Sequence, residues 1–255
     1  MEIHEVSPGV IAFIRPEGGA NVGLIRTTEG SVVIDTTSRE SDIRAFLAAV
    51  GVSPSEVCLV CITHSHNDHT KGIPLFDCPV LAHKLTHQRI AKRKSTISGR
   101  QLLPTQVFEN RRDIEISDMR LEFIHAGGHT PGSSVIWLPE VKVLFAGDLI
   151  FEGRYPFLAT ANVPDLMKVL KWLLTLGAQV IVPGHGLLCG EDMVAGQLDY
   201  IETSWGRTAD HIAQGHSIEE IIDDHEYPVY PGLGAERLHT WNIKVMHRQL
   251  KKMSS

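Results

Sequence analysis

Within six residues, His64-Ser65-His66-Asn67-Asp68-His69, the chain carries three imidazoles and one carboxylate. Three candidates of the same chemistry stand alone downstream: His129 in Gly-Gly-His-Thr-Pro-Gly, Asp148 in Phe-Ala-Gly-Asp and His185 in Pro-Gly-His-Gly. Together they offer five imidazoles and two carboxylates, a donor set that suits two borderline-soft cations such as zinc. Even with 14 histidines in 255 residues, an H-x-H-x-D-H string rarely arises by chance. The chemistry to which this pattern points is metal-dependent hydrolysis.

The positions of these residues follow a rule. An apolar, strand-like run precedes each one: 60–63 before His64, 123–125 before His129, 144–146 before Asp148 and 180–182 before His185. Strand ends aim their loops at a common point, and rigid scaffolds place functional loops there. Gly127, Gly128, Gly184 and Gly186 let the backbone approach a ligand closely or take positive φ. His64 and His66, two apart in extended chain, point the same way, whereas a turn after Asn67 must redirect Asp68 and His69. Asp35, Thr63, Thr130 and Ser133 are candidates to fix the rear ring nitrogens, with capping of the following helix as the other role for Asp35. For a substrate pocket the segment directly after Asp148 stands out, with Phe151 and Phe157 as apolar walls. Arg154 there pairs with a substrate carboxylate and Tyr155 protonates a leaving group, unless both are surface-loop residues. Asn21, after Gly18-Gly19, is expected in a mobile flap over the site.

The supporting elements read as alternating strands and helices. Val10–Ile14, Val22–Thr27 and residues 31–35 are strands, and Ser38 or Ser41 caps a helix that runs to Val50 with Ile43, Phe46 and Leu47 on one face. A strand over 56–63 leads into the histidines, and a strand over 80–82 is followed by a helix over 84–94. Residues 95–112, with Ser95, Thr96, Ser98, Gly99 and Pro104, read as a long loop. Strands follow at 114–116, 120–125, 134–138 and 142–145, then a helix from Pro164 to 176 and a strand at 179–182. Residues 191–214, 218–223 and 235–252 are helical. Trp205 and Trp241 fall in these helices and are expected in the core. His211, His216, His225, His239 and His247 lack ligand spacing and are expected to be solvated. Without internal repeats or a linker, residues 1–255 read as a single domain: 1–190 a core with the metal site, 191–255 a helical part of the same unit.

This pattern resembles the metallo-β-lactamase fold superfamily and, within it, hydrolases similar to glyoxalase II. The resemblance rests on Val-Val-Ile-Asp35, the Thr-His-Ser-His-Asn-Asp-His segment ending at His69, Gly-Gly-His129-Thr-Pro-Gly-Ser, Gly-Asp148 and Pro-Gly-His185-Gly, over roughly residues 5–190. It implies an α/β fold, a four-layer αββα sandwich with the metals at one edge and helical C-terminal segments. It also implies that His64, His66 and His129 bind one metal, that Asp68, His69 and His185 bind the other, and that Asp148 bridges the two. The implied cofactors are two Zn2+ per chain, with iron or manganese as alternatives. The implied activity is attack by a metal-bridging hydroxide, oriented by Asp68, on the carbonyl of an ester, lactone, thioester or β-lactam. The competing class on the same scaffold is a mononuclear-iron, persulfide dioxygenase-like oxidoreductase. The C-terminal third lacks the basic residues by which glyoxalase II holds glutathione.

Composition limits the partners. A net charge of −6 disfavours nucleic acid, and the one basic cluster, Lys92-Arg93-Lys94, reads as a solvated helix end. No apolar run approaches the roughly 20 residues of a membrane span, and no basic, apolar leader opens the chain. Cys58, Cys61, Cys78 and Cys189 suit a reducing compartment; Cys58 and Cys61 form a C-x-x-C inside an apolar strand and read as buried residues. The expectation is a cytoplasmic monomer or homodimer acting on a small molecule, with no nucleic-acid or membrane partner.

Overall fold

The computed structural model describes residues 2–93, 96–97, 100–117, 119–229 and 235–254. The sequence expectations at Lys94, Ser95, Ser98 and Gly99 lie outside the described residues. The strands are β1 (Glu2–Ser7), β2 (Val10–Ile14), β3 (Val22–Thr27), β4 (Gly30–Ile34), β5 (Val57–Ile62), β6 (Val80–His83), β7 (Thr96–Ile97), β8 (Arg100–Gln101), β9 (Gln106–Phe108), β10 (Arg111–Ile116), β11 (Met119–His125), β12 (Ser134–Leu138), β13 (Val143–Phe151) and β14 (Val180–His185). The helices are α1 (Glu40–Ala49), α2 (Asn67–Thr70), α3 (Lys84–Lys92), α4 (Val163–Leu173), α5 (Glu191–Ala213), α6 (Ile218–Ile222) and α7 (Ala235–Met253).

One sheet has the order β1-β2-β3-β4-β5-β6-β9 and the other β10-β11-β12-β13-β14, with β7 and β8 as a separate ribbon. Strand alternation sorts each side chain to one of two faces. In β4, Val32 and Ile34 point between the sheets, where they meet Leu121, Phe123, Ile136 and Phe145 of the second sheet. Val33 points the other way, into a layer that holds Ile43, Phe46 and Leu47 of α1 and Ile90 of α3. The second sheet is covered in turn: Val135, Leu144 and Ile181 pack with Leu166 and Leu170 of α4, Val194 and Ile201 of α5, and Ile243 and Met246 of α7. The result is the four-layer α/β/β/α arrangement. It explains why β2 and β13 are apolar almost throughout, since both of their faces are buried. Among the described residues no helix is long and apolar enough to cross a membrane.

Four sequence expectations need correction. The 95–112 region is not one loop, because Gln106–Phe108 pairs in parallel with β6 and β10 begins at Arg111. Parallel pairing is non-local, and three residues with Val107 turned to solvent leave little pattern. Neither Ser38 nor Ser41 caps α1; its N-cap is Arg39, with no side-chain cap bond. Strands β13 and β14 continue past 145 and 182 to Phe151 and His185, so Asp148 and His185 lie on strands rather than in loops. Trp241 is half exposed instead of in the core, while Trp205 is partly buried against it.

Where the two sheets meet, His83 at the end of β6 stacks on His125 at the end of β11, with ring centroids 3.8 Å apart and planes within 5°. His83 is also the N-cap of α3, its Nδ1 accepting the Leu85 N–H. Burial, aided by the neighbouring His125, pushes the His83 imidazole down to about 4. The neutral ring is therefore the folded form, while the unfolded chain binds a proton near 6.5. The stability this contributes is present above about pH 6.5 and is lost as pH falls toward 4. Denaturant unfolding across that window is expected to show a shallower loss of stability in His83→Asn, which keeps a cap acceptor but cannot titrate. Equal slopes in the parent and the variant would refute this account.

Candidate metal centre

The local sequence explains how the six-residue cluster divides. After β5 the chain bends at Thr63, and His66, extended at φ −68 and ψ 151, is the N-cap of the single-turn helix α2. That turn carries Asp68 and His69 away from His64 and His66, as adjacent residues on two sides of a site require. Gly127 (φ 72) and Gly128 (φ 76) bend the chain after β11 to deliver His129. Asp148 follows Gly147 within β13, and His185 ends β14.

All seven candidate side chains meet at this edge of the sandwich, and the two oxygens of Asp148 face different partners. Oδ2 lies 3.5 Å from His64 Nε2, 3.4 Å from His129 Nε2 and 3.8 Å from His66 Nδ1. Oδ1 lies 3.0 Å from His69 Nε2 and 3.4 Å from His185 Nε2. Asp68 Oδ2 completes the second set, 3.3 Å from His185 Nε2 and 3.9 Å from His69 Nε2. Each set, His64/His66/His129/Asp148 and Asp68/His69/His185, has its donor atoms within 4.8 Å of one another.

The rear nitrogens show which ring atoms face inward. Asp35, at φ +58 beyond β4, accepts from Thr63 N (2.7 Å) and Thr63 Oγ1 (2.6 Å) and from His69 Nδ1 (2.8 Å). Because the Thr63 hydroxyl gives its proton to Asp35, it accepts one from His64 Nδ1 at 3.1 Å. His185 Nδ1 donates to Gly19 O at 3.2 Å, and His66 Nε2 lies 3.3 Å from Thr160 Oγ1. In their neutral form these four rings would each turn an unprotonated nitrogen to the centre. Thr130 and Ser133 play a different part from the one expected: they bond to each other in the turn after His129 (Oγ1 to Oγ 2.9 Å) and meet no ring nitrogen. Sequence reasoning missed Thr160 and the Gly19 carbonyl, since neither has a spacing signal.

This donor set fits divalent cations. The buried His64 Nε2 makes no hydrogen bond, and His69 Nε2 and Asp148 Oδ1, though 3.0 Å apart, are not aligned to make one with each other, which is costly unless a cation satisfies them. Electrostatics agree. Burial opposes charge at His69, yet the Asp148 and Asp35 carboxylates raise its pKa well above the ordinary imidazole value. His185, with burial likewise overcome by Asp148 and Asp68, is raised to about 9. Burial also opposes ionisation of Asp148 and Asp68, but the facing imidazoles hold both below the usual carboxylate range. Burial lowers His64 and His129, His129 strongly. The centre is built to hold positive charge, and bound cations would displace those protons.

A cleft of about 390 Å³ opens on this centre, lined by Phe151, Arg154, Tyr155, Phe157 and Leu238 beside Asp68 and His185. Of the expected pocket residues, Asn21 is not among them. Its buried amide donates to Pro183 O and Gly186 O (both 2.9 Å) and accepts from Arg15 N, so it ties the β2–β3 connection to the end of β14 instead of forming a flap. Tyr155 lines the cleft, and its hydroxyl is directed at the Pro228 carbonyl, 3.5 Å away. Nor are all the C-terminal histidines solvated: His239 packs on Tyr155, Tyr200 and Tyr227, and His211 pairs with Asp224 and His216.

The model of the "Metallo-beta-lactamase superfamily" matches residues 15–185, a span that carries all seven side chains. The chain belongs to this superfamily. Within it, the Beta-lactamase-like protein 2 homolog of Caenorhabditis elegans is 29% identical over 210 residues, covering 80% of this chain and 68% of that protein. The acyl-coenzyme A thioesterase MBLAC2 of Bos taurus is 25% identical over 210 residues, 68% of this chain and 75% of that one. Among solved structures, a metallo-beta-lactamase from Pontibacter korlensis has a TM-score of 0.69 at 22% identity, covering 79% of this chain and 98% of its own. The sec-alkylsulfatase Pisa1 from Pseudomonas sp. has a TM-score of 0.77 at 18% identity, covering 97% of this chain and 50% of its own. The structural likeness thus extends over the C-terminal helices in the second case.

Proposed function

We propose that this chain is a two-cation hydrolase of small-molecule carbonyl substrates, with thioesters its preferred class. The observation that carries the reading is Asp148, whose two oxygens serve two separate sets of imidazoles. His64, His66 and His129 would hold one cation, Asp68, His69 and His185 the other, and Asp148 both. Divalent cations of the zinc type there would supply a lowered pKa for water and polarisation of a carbonyl oxygen. A complete second set favours this over the single-iron dioxygenase, which would leave Asp68, His69 and His185 without a role.

The chain's own side chains narrow the substrate. Asp68, beside His69 and His185, would orient the attacking water by accepting a hydrogen bond from it. Arg154 lines the cleft without an ion pair to any described residue, and its guanidinium suits a carboxylate or phosphate on the substrate. Among the described residues, and apart from the proposed ligands, Arg154 and Tyr155 are the titratable side chains lining the cleft, and the Tyr155 hydroxyl is turned to Pro228. With no general acid among the described lining residues, a leaving group that departs as an anion fits this cleft best. A thiolate, from a thiol of pKa about 8.5, does so far more readily than an alkoxide or an amide nitrogen. The thioesterase relative agrees with this choice.

The test is elemental analysis combined with a panel of acyl thioesters, lactones, alkyl esters and β-lactams. Two metal equivalents and the highest kcat/KM on a thioester are expected. One iron per chain with oxygen consumption would replace this reading by the dioxygenase.

A further inference from the structure

The segment that leaves β13 lines the cleft through Phe157 and enters α4 at Val163, and α7 holds it at both ends. Asn242, fully buried, donates to Pro156 O at 2.8 Å and accepts from Leu158 N at 3.3 Å. Gln249, seven residues on and so on the same helix face, donates to Ala161 O at 2.8 Å and accepts from Val163 N at 3.0 Å. Between these two anchors stands Thr160. Its hydroxyl donates to the His129 carbonyl at 3.1 Å and lies 3.3 Å from His66 Nε2.

A hydroxyl has one proton, and a carbonyl can only accept. Committed to His129 O, the Thr160 oxygen must therefore accept from His66, which fixes the proton of His66 on Nε2. The bare Nδ1 then faces His129 Nε2 at 3.1 Å and Asp148 Oδ2 at 3.8 Å. His66 needs this support more than the other rings. Its side chain is 18% exposed, against 8% or less for the other four, so packing restrains it least.

We propose that Thr160 is a positioning residue for His66, and that α7, through Asn242 and Gln249, sets where Thr160 stands. The C-terminal helix thereby governs the affinity of the His64/His66/His129 set alone. The proposal rests on the two-cation reading above.

Zn2+ is titrated into the metal-free full chain against a chromophoric chelator, with thermal unfolding of the metal-free form followed in parallel. Thr160→Val is expected to weaken one of two equivalents about 10–100-fold, the usual cost of losing a partner behind a ligand ring, and to leave the other unchanged. Thr160→Ser, which keeps the hydroxyl, restores parental affinity. Gln249→Leu weakens the same equivalent by a smaller factor. Parental affinity at both equivalents in Thr160→Val overturns the proposal, as does equal weakening of both with a lowered unfolding temperature, or failure of Thr160→Ser to rescue. A parent chain that never takes up two equivalents sinks the two-cation reading itself, which keeps the two failures apart.

Discussion

Asp148→Ala is expected to abolish two-metal binding and to lower kcat/KM by about three orders of magnitude or more. Every other proposed ligand serves one set of imidazoles, but Asp148 gives an oxygen to each. Its removal also takes away the carboxylate that raises His69 and His185, so both sets lose charge complementarity at once. A bound metal supplies several kcal/mol to a charged transition state, and about 1.4 kcal/mol corresponds to each decade of rate. Elemental analysis and steady-state kinetics on the thioester panel measure both effects. A third reading comes from unfolding: Zn2+ at 100 times its dissociation constant stabilises the parent by about 2.7 kcal/mol, and this increment is expected to vanish in the variant. Asp148→Asn preserves the shape but turns one acceptor into a donor, and should lose one set more severely than the other. Two retained equivalents with parental turnover in Asp148→Ala would remove the shared carboxylate from the centre of the proposal.

Much of this site could be read from the chain before any coordinates, for a physical reason. Ligand chemistry depends on residue type, and the apolar runs ending near 64, 129, 148 and 185 mark strands whose ends must share an edge. The two sheets follow from the same alternation, which sends Val32 and Ile34 one way and Val33 the other. What stayed hidden depends on contacts between distant segments. Asn21 reads as a loop residue, and only the approach of β14 shows that its amide is consumed by Pro183 and Gly186. Thr160 is one hydroxyl among many until the fold lays it against His66, 94 residues away. Tyr155 suits a proton donor by type, and only the fold shows that its hydroxyl stands 3.5 Å from the Pro228 carbonyl. Strand β9 fails for the same reason: its partner β6 is remote in sequence, and its three residues hold no period.

Gly184→Ala should come close to the loss expected of Asp148→Ala while removing no functional group. A Cβ on Gly184 would sit 2.1 Å from Asp148 Oδ1, 2.7 Å from the Gly147 carbonyl carbon and 2.8 Å from Asp148 N. No real contact is that short. Two of the three obstacles are backbone atoms of β13, so swinging a side chain aside cannot relieve the clash. The pairing of β13 with β14 is already irregular here, between Gly147 and Phe151, where the strand bends to present the carboxylate. Either the strands part, at about 1–3 kcal/mol as in other overpacked cores, or the Asp148 carboxylate leaves its place between the two sets. Both outcomes lower metal content and turnover together, and both lower the unfolding temperature. Gly196→Ala makes the matched control. It lies in α5 with open space around it, and alanine in a helix interior gains up to about 1 kcal/mol over glycine, so stability should rise with metal content unchanged. If Gly184→Ala instead keeps two equivalents and full turnover, the close approach of β14 to Asp148 is not what holds that carboxylate in place.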